Sequence, residues 1–273
     1  MEKFHLQLFL NIIGIGSASG LLFKNDSLFI ISDNSTYLYE YHLTNDTLQR
    51  HALDENPQEN IAKKEKLDFE SIALNKNKII ILGSGSTKNR NKVASYHLES
   101  KEIQNIDFTL PFENLKKTAS LSEGELNIEG LIITPKKSYF FQRGNTKDGS
   151  NGIFILNDDT NDSFEFKKIT LPKINTIEAT FTDAILVNEN IYFLAAVENT
   201  ISTYEDGEIL GTFFGKINLE NLIIEKTLLI SKKNKFEGIT LYKETKNQLE
   251  FLLCEDNDTE QLTSKIYKLT INN

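Results

Sequence analysis

With 273 residues, 39% of them apolar and 25% charged, the chain has the composition of a globular protein able to bury a sizeable core. Its formal net charge of −9 argues against a nucleic-acid partner, because a phosphate backbone is bound by clustered Lys and Arg. The single cysteine, Cys254, excludes an intrachain disulfide, and no apolar run approaches the length of a membrane-spanning helix.

The first twenty residues resemble a signal peptide only superficially. Met1-Glu2-Lys3 precedes an apolar stretch and small residues follow at Ser17-Ala18-Ser19-Gly20, but His5, Gln7 and Asn11 interrupt the apolar run. Residues 4–10 alternate as a strand does, so the segment reads as part of the fold and the protein as cytoplasmic. Next come four short apolar or alternating runs, 20–23, 28–31, 37–43 and 48–53, separated by polar turn residues. The same four-strand order recurs three times. Second strands are expected at 78–82, 138–141 and 191–195, third strands at 95–98, 153–156 and 215–219, and fourth strands at 103–108, 164–171 and 222–230. A short helix is expected over 111–119. The last unit has strands at 249–253 and 266–269 and no room for a fourth, which residues 4–10 can supply.

Each unit opens alike: Phe69-Glu70-Ser71-Ile72, Ile128-Glu129-Gly130-Leu131, Thr182-Asp183-Ala184-Ile185 and Phe236-Glu237-Gly238-Ile239. Ala18-Ser19-Gly20-Leu21 fits if Ser replaces the acid. Steps between these positions are 51, 59, 54 and 54 residues, and the 36 residues after Glu237 plus the first 19 give 55. The repeat closes around the chain ends. This predicts an all-β, five-bladed β-propeller, one domain over 1–273, with blades at about 18–54, 68–108, 127–171, 181–230 and 235–273, the last completed by 4–10. A two-sheet sandwich gives no reason for the spacing to close.

The first strand of a blade lies innermost and runs antiparallel to the second. The repeated acids and the residues after each second strand therefore share one mouth of the channel. Glu70, Glu129, Asp183 and Glu237 would converge there, and like charges that close need a cation, protons or basic partners. Three readings stay open: a divalent metal, in the first place Ca²⁺, on oxygen ligands; carboxylate acid–base chemistry on a sugar; or acids that accept backbone N–H bonds and lock the ring. Ligand contacts are expected from Ser84, Ser86 and Arg90 in the loop 83–91, whose glycines and cations suit an anion, from Arg143, and from Glu198 and Asp256 in the mouth loops. Arg143 has pairing with a ring carboxylate as its alternative. Cys254, in an apolar run, reads as a buried thiol. His5, His42, His51 and His97 fall on outer strands where they would not cluster as zinc ligands. Gly14-Ile15-Gly16 is no dinucleotide fingerprint, there is no G-x-S-x-G elbow, and Tyr204 is a candidate stacking ring.

Ser17-Ala18-Ser19-Gly20, Asp33-Asn34-Ser35 with Tyr37-Leu38-Tyr39, Phe69-Glu70-Ser71, Gly83-Ser84-Gly85-Ser86, Glu129-Gly130 and Glu237-Gly238 resemble a family of bacterial propellers of unestablished function. That family is related in pattern to the esterase-like domain of phytases and to SdiA-regulated proteins. The opening Glu-Gly is also similar to that of gluconolactonase and senescence-marker propellers, which have six blades and hold a central Ca²⁺; here five blades fit and that group's Asn ligands have no match. The resemblance implies a metal or polar-ligand role for Glu70, Glu129, Asp183 and Glu237. The expected function is a mouth that binds a divalent cation and a small anionic or sugar-like ligand, with metal-dependent hydrolysis as its reaction class. The alternative is a non-enzymatic scaffold that grips a protein partner with loops 198–208 and 256–263.

Overall fold

The computed structural model describes residues 4–146, 149–157, 163–199, 207–256 and 262–272. Strands follow in chain order: β1 Phe4–Ile13, then β2 Ala18–Lys24, β3 Ser27–Ser32, β4 Tyr37–His42 and β5 Thr47–Ala52. A second set is β6 Phe69–Asn75, β7 Lys78–Gly83, β8 Lys92–His97 and β9 Ile103–Asp107, followed by helix α1 Thr109–Ala119. A third is β10 Ile128–Ile133, β11 Lys137–Gln142, β12 Gly152–Asn157 and β13 Phe164–Lys168, followed by a hairpin of β14 Lys173–Ile174 and β15 Ile177–Glu178. The last two are β16 Thr180–Val187, β17 Asn190–Asn199, β18 Glu208–Asn218 and β19 Ile224–Ser231, then β20 Lys235–Glu244, β21 Gln248–Asp256 and β22 Thr263–Asn272.

These strands form five antiparallel four-stranded sheets, each a blade, ordered from the axis outward. The fifth runs β20–β21–β22–β1, so the N-terminal strand closes the ring. Phe4 pairs with Ile271 and Ile13 with Thr263, with one irregularity between Leu8 and Leu10. Middle strands are covered on both faces by neighbouring blades and are buried without alternation, as in β3, whose six residues are all buried. Outer strands are half-solvated, as in β9.

Five apolar layers fill the five spaces between blades. Helix α1 starts two residues before the expected segment and inserts Phe112 and Leu115 between the second and third blades. Pro111 sits in its first turn, where a missing N–H costs nothing, and Ser120 ends it in the left-handed conformation. The hairpin at 173–178 was not legible in the strand pattern.

In every innermost strand the pairing slips by one residue at the same place. The slips fall between Ala18 and Gly20, Phe69 and Ser71, Ile128 and Gly130, Phe181 and Asp183, and Phe236 and Gly238. The extra residues are therefore Ser19, Glu70, Glu129, Thr182 and Glu237. A bulge of this kind re-aims the inserted side chain, and here it does so five times around the axis. This corrects one expectation: in the fourth blade Thr182, not Asp183, holds the position of the ring acids.

Candidate functional site at the channel mouth

The residue after each bulge is small where the next blade's backbone packs against it. A Cβ on Gly130 would lie 3.0 Å from the amide of Ala184, and one on Gly238 would lie 2.9 Å from that of Leu21. Asp183 occupies this place in the fourth blade. Its Oδ1 accepts the Ala184 N–H at 2.7 Å and its Oδ2 the Ile239 N–H of the fifth blade at 2.8 Å. Burial pushes its carboxyl well above the ordinary range, against those two amides. Asp183 thus locks two blades together. The bulge hydroxyls do similar work: Ser19 Oγ donates to the Phe69 carbonyl at 2.5 Å and Thr182 Oγ1 to that of Phe236 at 2.7 Å.

Two residues before each bulge lies a second polar tier, Ser17, Asp68, Asn127, Thr180 and Lys235, each separated from the bulge by one buried apolar residue. Its members tie the ring to the loops after the second strands. Asp68 Oδ2 accepts from Ser84 Oγ at 2.6 Å and from Arg90 Nη1 at 2.8 Å. Arg90 also donates to Ser86 Oγ at 2.9 Å. The loop 83–91 therefore turns its polar atoms onto Asp68 rather than presenting an open anion cradle. Asn127 Nδ2 donates to Glu129 Oε1 at 2.7 Å.

The cations are distributed unevenly. Arg143 donates to Glu129 at 3.2 Å, to Glu198 at 2.8 Å and to Thr180 Oγ1 at 3.2 Å. Of its two expected roles, it has the pairing with a ring carboxylate. Glu198 also accepts the Gly207 N–H at 2.9 Å. Lys235, which sequence reasoning missed, lies 2.7 Å from Glu237 and 3.6 Å from Asp256. Burial works against its ammonium, but the Glu237 carboxylate outweighs that and holds its pKa well above the usual lysine value. Lys66, also missed, pairs with Asp33.

Glu70 is different. It has no hydrogen bond or ion pair to the described residues, and one oxygen each from Asp33, Asp68 and Glu70 lie within 4.8 Å of one another. Burial, then the carboxyls of Glu129, Asp68 and Glu237, push Glu70 well above the ordinary glutamate range. Burial also raises Asp33 to about 6, against the pull of Lys66. Asp33 Oδ1 is sealed from solvent with no partner. The carboxyls of Asp33, Asp68, Glu70, Glu129, Glu198, Glu237 and Asp256 thus interact at this mouth with one another and with Lys66, Arg90, Arg143 and Lys235.

Residues 14–271 match a family of unknown function, DUF6929. The chain belongs to that family. Among curated proteins none matches it. In solved structures this family's fold resembles the Malassezia sympodialis allergen Mala s 1 (8% identity, 96% of each chain, TM-score 0.58). It also resembles a glutaminyl cyclase of Myxococcus xanthus (10% identity, 98% of this chain and 97% of that one, TM-score 0.54). A third likeness is to the calcium-binding protein regucalcin of Agrobacterium tumefaciens (10% identity, 97% and 94%, TM-score 0.52). At such identities the likeness is one of fold.

The structure thus brings Glu70, Glu129 and Glu237 to one ring and places Arg143, Glu198 and Asp256 beside it. Ser84, Ser86 and Arg90 reach the ring's edge through Asp68. Tyr204 and most of loops 198–208 and 256–263 lie outside the described residues. Cys254 is buried, with its thiol 3.6 Å from the Ala18 carbonyl. Two of the histidines flank a carboxylate on outer strands of the first blade: His51 Nε2 lies 2.8 Å and His42 Nε2 3.7 Å from Glu40. No described helix is long and apolar enough to cross a membrane.

Proposed function

We propose that the mouth binds a divalent cation, in the first place Ca²⁺, on Glu70, Asp33 and Asp68, and takes a small ligand beside it. The observation that carries this reading is Glu70: a partly buried acid with no hydrogen bond or ion pair to the described residues, one oxygen of which lies within 4.8 Å of an oxygen each of Asp33 and Asp68. The donor set suits a hard cation, since all three ligands are oxygens and the orphaned Asp33 Oδ1 lacks what a cation would give it. Lys66 and Arg90 compete with the cation for Asp33 and Asp68. Bound there, the ion would supply charge neutralisation and a Lewis-acid centre open to a ligand oxygen. Regucalcin, a propeller of similar fold described as calcium-binding, supports the choice of ion. The motif likeness to the phytase esterase-like domain adds phosphoesters to the substrates worth screening.

Thermal unfolding of metal-stripped protein tests this. Ca²⁺ at 100 times its Kd adds about 2.7 kcal/mol if it binds only the folded state. A rise in Tm with Ca²⁺ that Glu70→Gln abolishes is the expected result; no shift with Ca²⁺, Mg²⁺ or Mn²⁺ removes the reading. The alternative is a ring-locking role for the acids in a protein-binding scaffold. Asp183 favours it, because both its oxygens are taken by backbone amides, and under it every acid substitution lowers stability without touching ion affinity.

A further inference from the structure

Outside the ring, between the third and fourth blades on the same face, lies a cavity of about 410 Å³. That is within the ~300–1,000 Å³ range of small-molecule sites. Its inner end is Arg143 and Glu198; its outer wall is the β14–β15 hairpin, which no other connection in the described chain possesses. The cavity is therefore built from a specific addition to the propeller plan.

Its chemistry is selective. Among the described residues the lining carries two cations, Arg143 and Lys168, and two acids, Glu178 and Glu198; Arg143 is neutralised by Glu129 and Glu198, and Glu178 lies 3.9 Å from Lys173. At the inner end, where Arg143 is held by two carboxylates, an anion would find no uncompensated charge. Ile177 supplies the apolar side chain of the lining, and the remainder is amide, hydroxyl and glycine. Amides and hydroxyls both donate and accept, so they match a ligand that does the same at many points. Asn145 Oδ1 and Thr146 Oγ1, on two residues of the lining, are closed off from solvent and have no partner. That part of the lining is short of donors, and a small movement of it would let ligand hydroxyls supply them.

We propose that this cavity binds an uncharged, polyhydroxylated molecule, a monosaccharide or cyclic polyol. The proposal rests on the reading of the mouth as a ligand site and names the class of ligand. Calorimetric titration of the full chain, with and without Ca²⁺, tests it using glucose, myo-inositol and glycerol as neutral probes. Gluconate and inorganic phosphate serve as anions, and alanine as a zwitterion. A neutral polyol is expected to bind saturably and more tightly than any charged probe. Thr176→Trp, at the exposed hairpin turn, narrows the cavity without removing a described hydrogen bond; Asn145→Leu removes an acceptor. Each is expected to weaken binding about tenfold, the scale of one buried hydrogen bond, with Tm unchanged. The proposal is overturned if no neutral probe binds, if gluconate or phosphate binds more tightly, or if neither variant matters. Polyol binding that survives Glu70→Gln while Ca²⁺ binding is lost leaves the cavity standing apart from the cation site. Ca²⁺ binding without polyol binding sinks the cavity alone.

Discussion

Glu70 and Glu237 occupy equivalent bulges, yet Glu237 has Lys235 at 2.7 Å and Glu70 has no such partner. This inequality has a pH signature. Folding raises the pKa of Asp33 to about 6 and that of Glu70 well above its ordinary value. A raised acid favours the fold fully below its unfolded pKa, 3.8 for Asp33, and loses that contribution as pH rises through the folded value. Metal-free protein is therefore expected to lose Tm between pH 4 and neutrality, and Ca²⁺ to restore more of it at pH 8 than at pH 5. An equal Ca²⁺ effect at both pH values would contradict this. Lys66→Met offers a test of opposite sign: freeing Asp33 from its competing cation should tighten Ca²⁺ binding several-fold in titration, whereas a purely structural pair would only cost stability.

At the scale of the strand, a single bulge repeated in five blades decides which side chains reach the axis. The repeated acids Glu70, Glu129 and Glu237 were legible in the sequence; the polar residues two places before them, Asp68, Asn127 and Lys235, were not read, although alternate residues of a strand share a face. Which residue bulges in the fourth blade was not legible. Thr182 and Asp183 are adjacent, a carboxylate resembles the other ring acids, and only the pairing of Phe181 with Ala195 and Asp183 with Leu194 separates them. Asp183→Ala should cost about 2–4 kcal/mol, since it leaves two buried amides without an acceptor. Ca²⁺ affinity should not change. Denaturant unfolding and metal titration of this variant check both halves, and lost ion binding at wild-type stability would return Asp183 to the ligand set. The Asp33–Lys66 and Glu40–His51 contacts were hidden for a different reason: they join separate strands and loops, and sequence spacing alone does not align them.

The five blades are held by five interblade layers and by one strand taken from the other end of the chain. That closure was readable because the repeat length of 55 across the termini matches the internal steps. Removing residues 1–13 should expose the β22 edge and abolish a single cooperative melting transition; retention of the wild-type melt would show that β1 is dispensable. The ring's rigidity is what makes a site of three acids from two blades credible, because Asp33 belongs to the first blade and Asp68 and Glu70 to the second. The most direct test of that site is equilibrium dialysis of Ca²⁺ against metal-stripped wild type, Glu70→Gln and Glu237→Gln. One ion per chain, lost in Glu70→Gln and kept in Glu237→Gln, is the predicted result; unchanged binding in Glu70→Gln, or no bound ion at all, would contradict it.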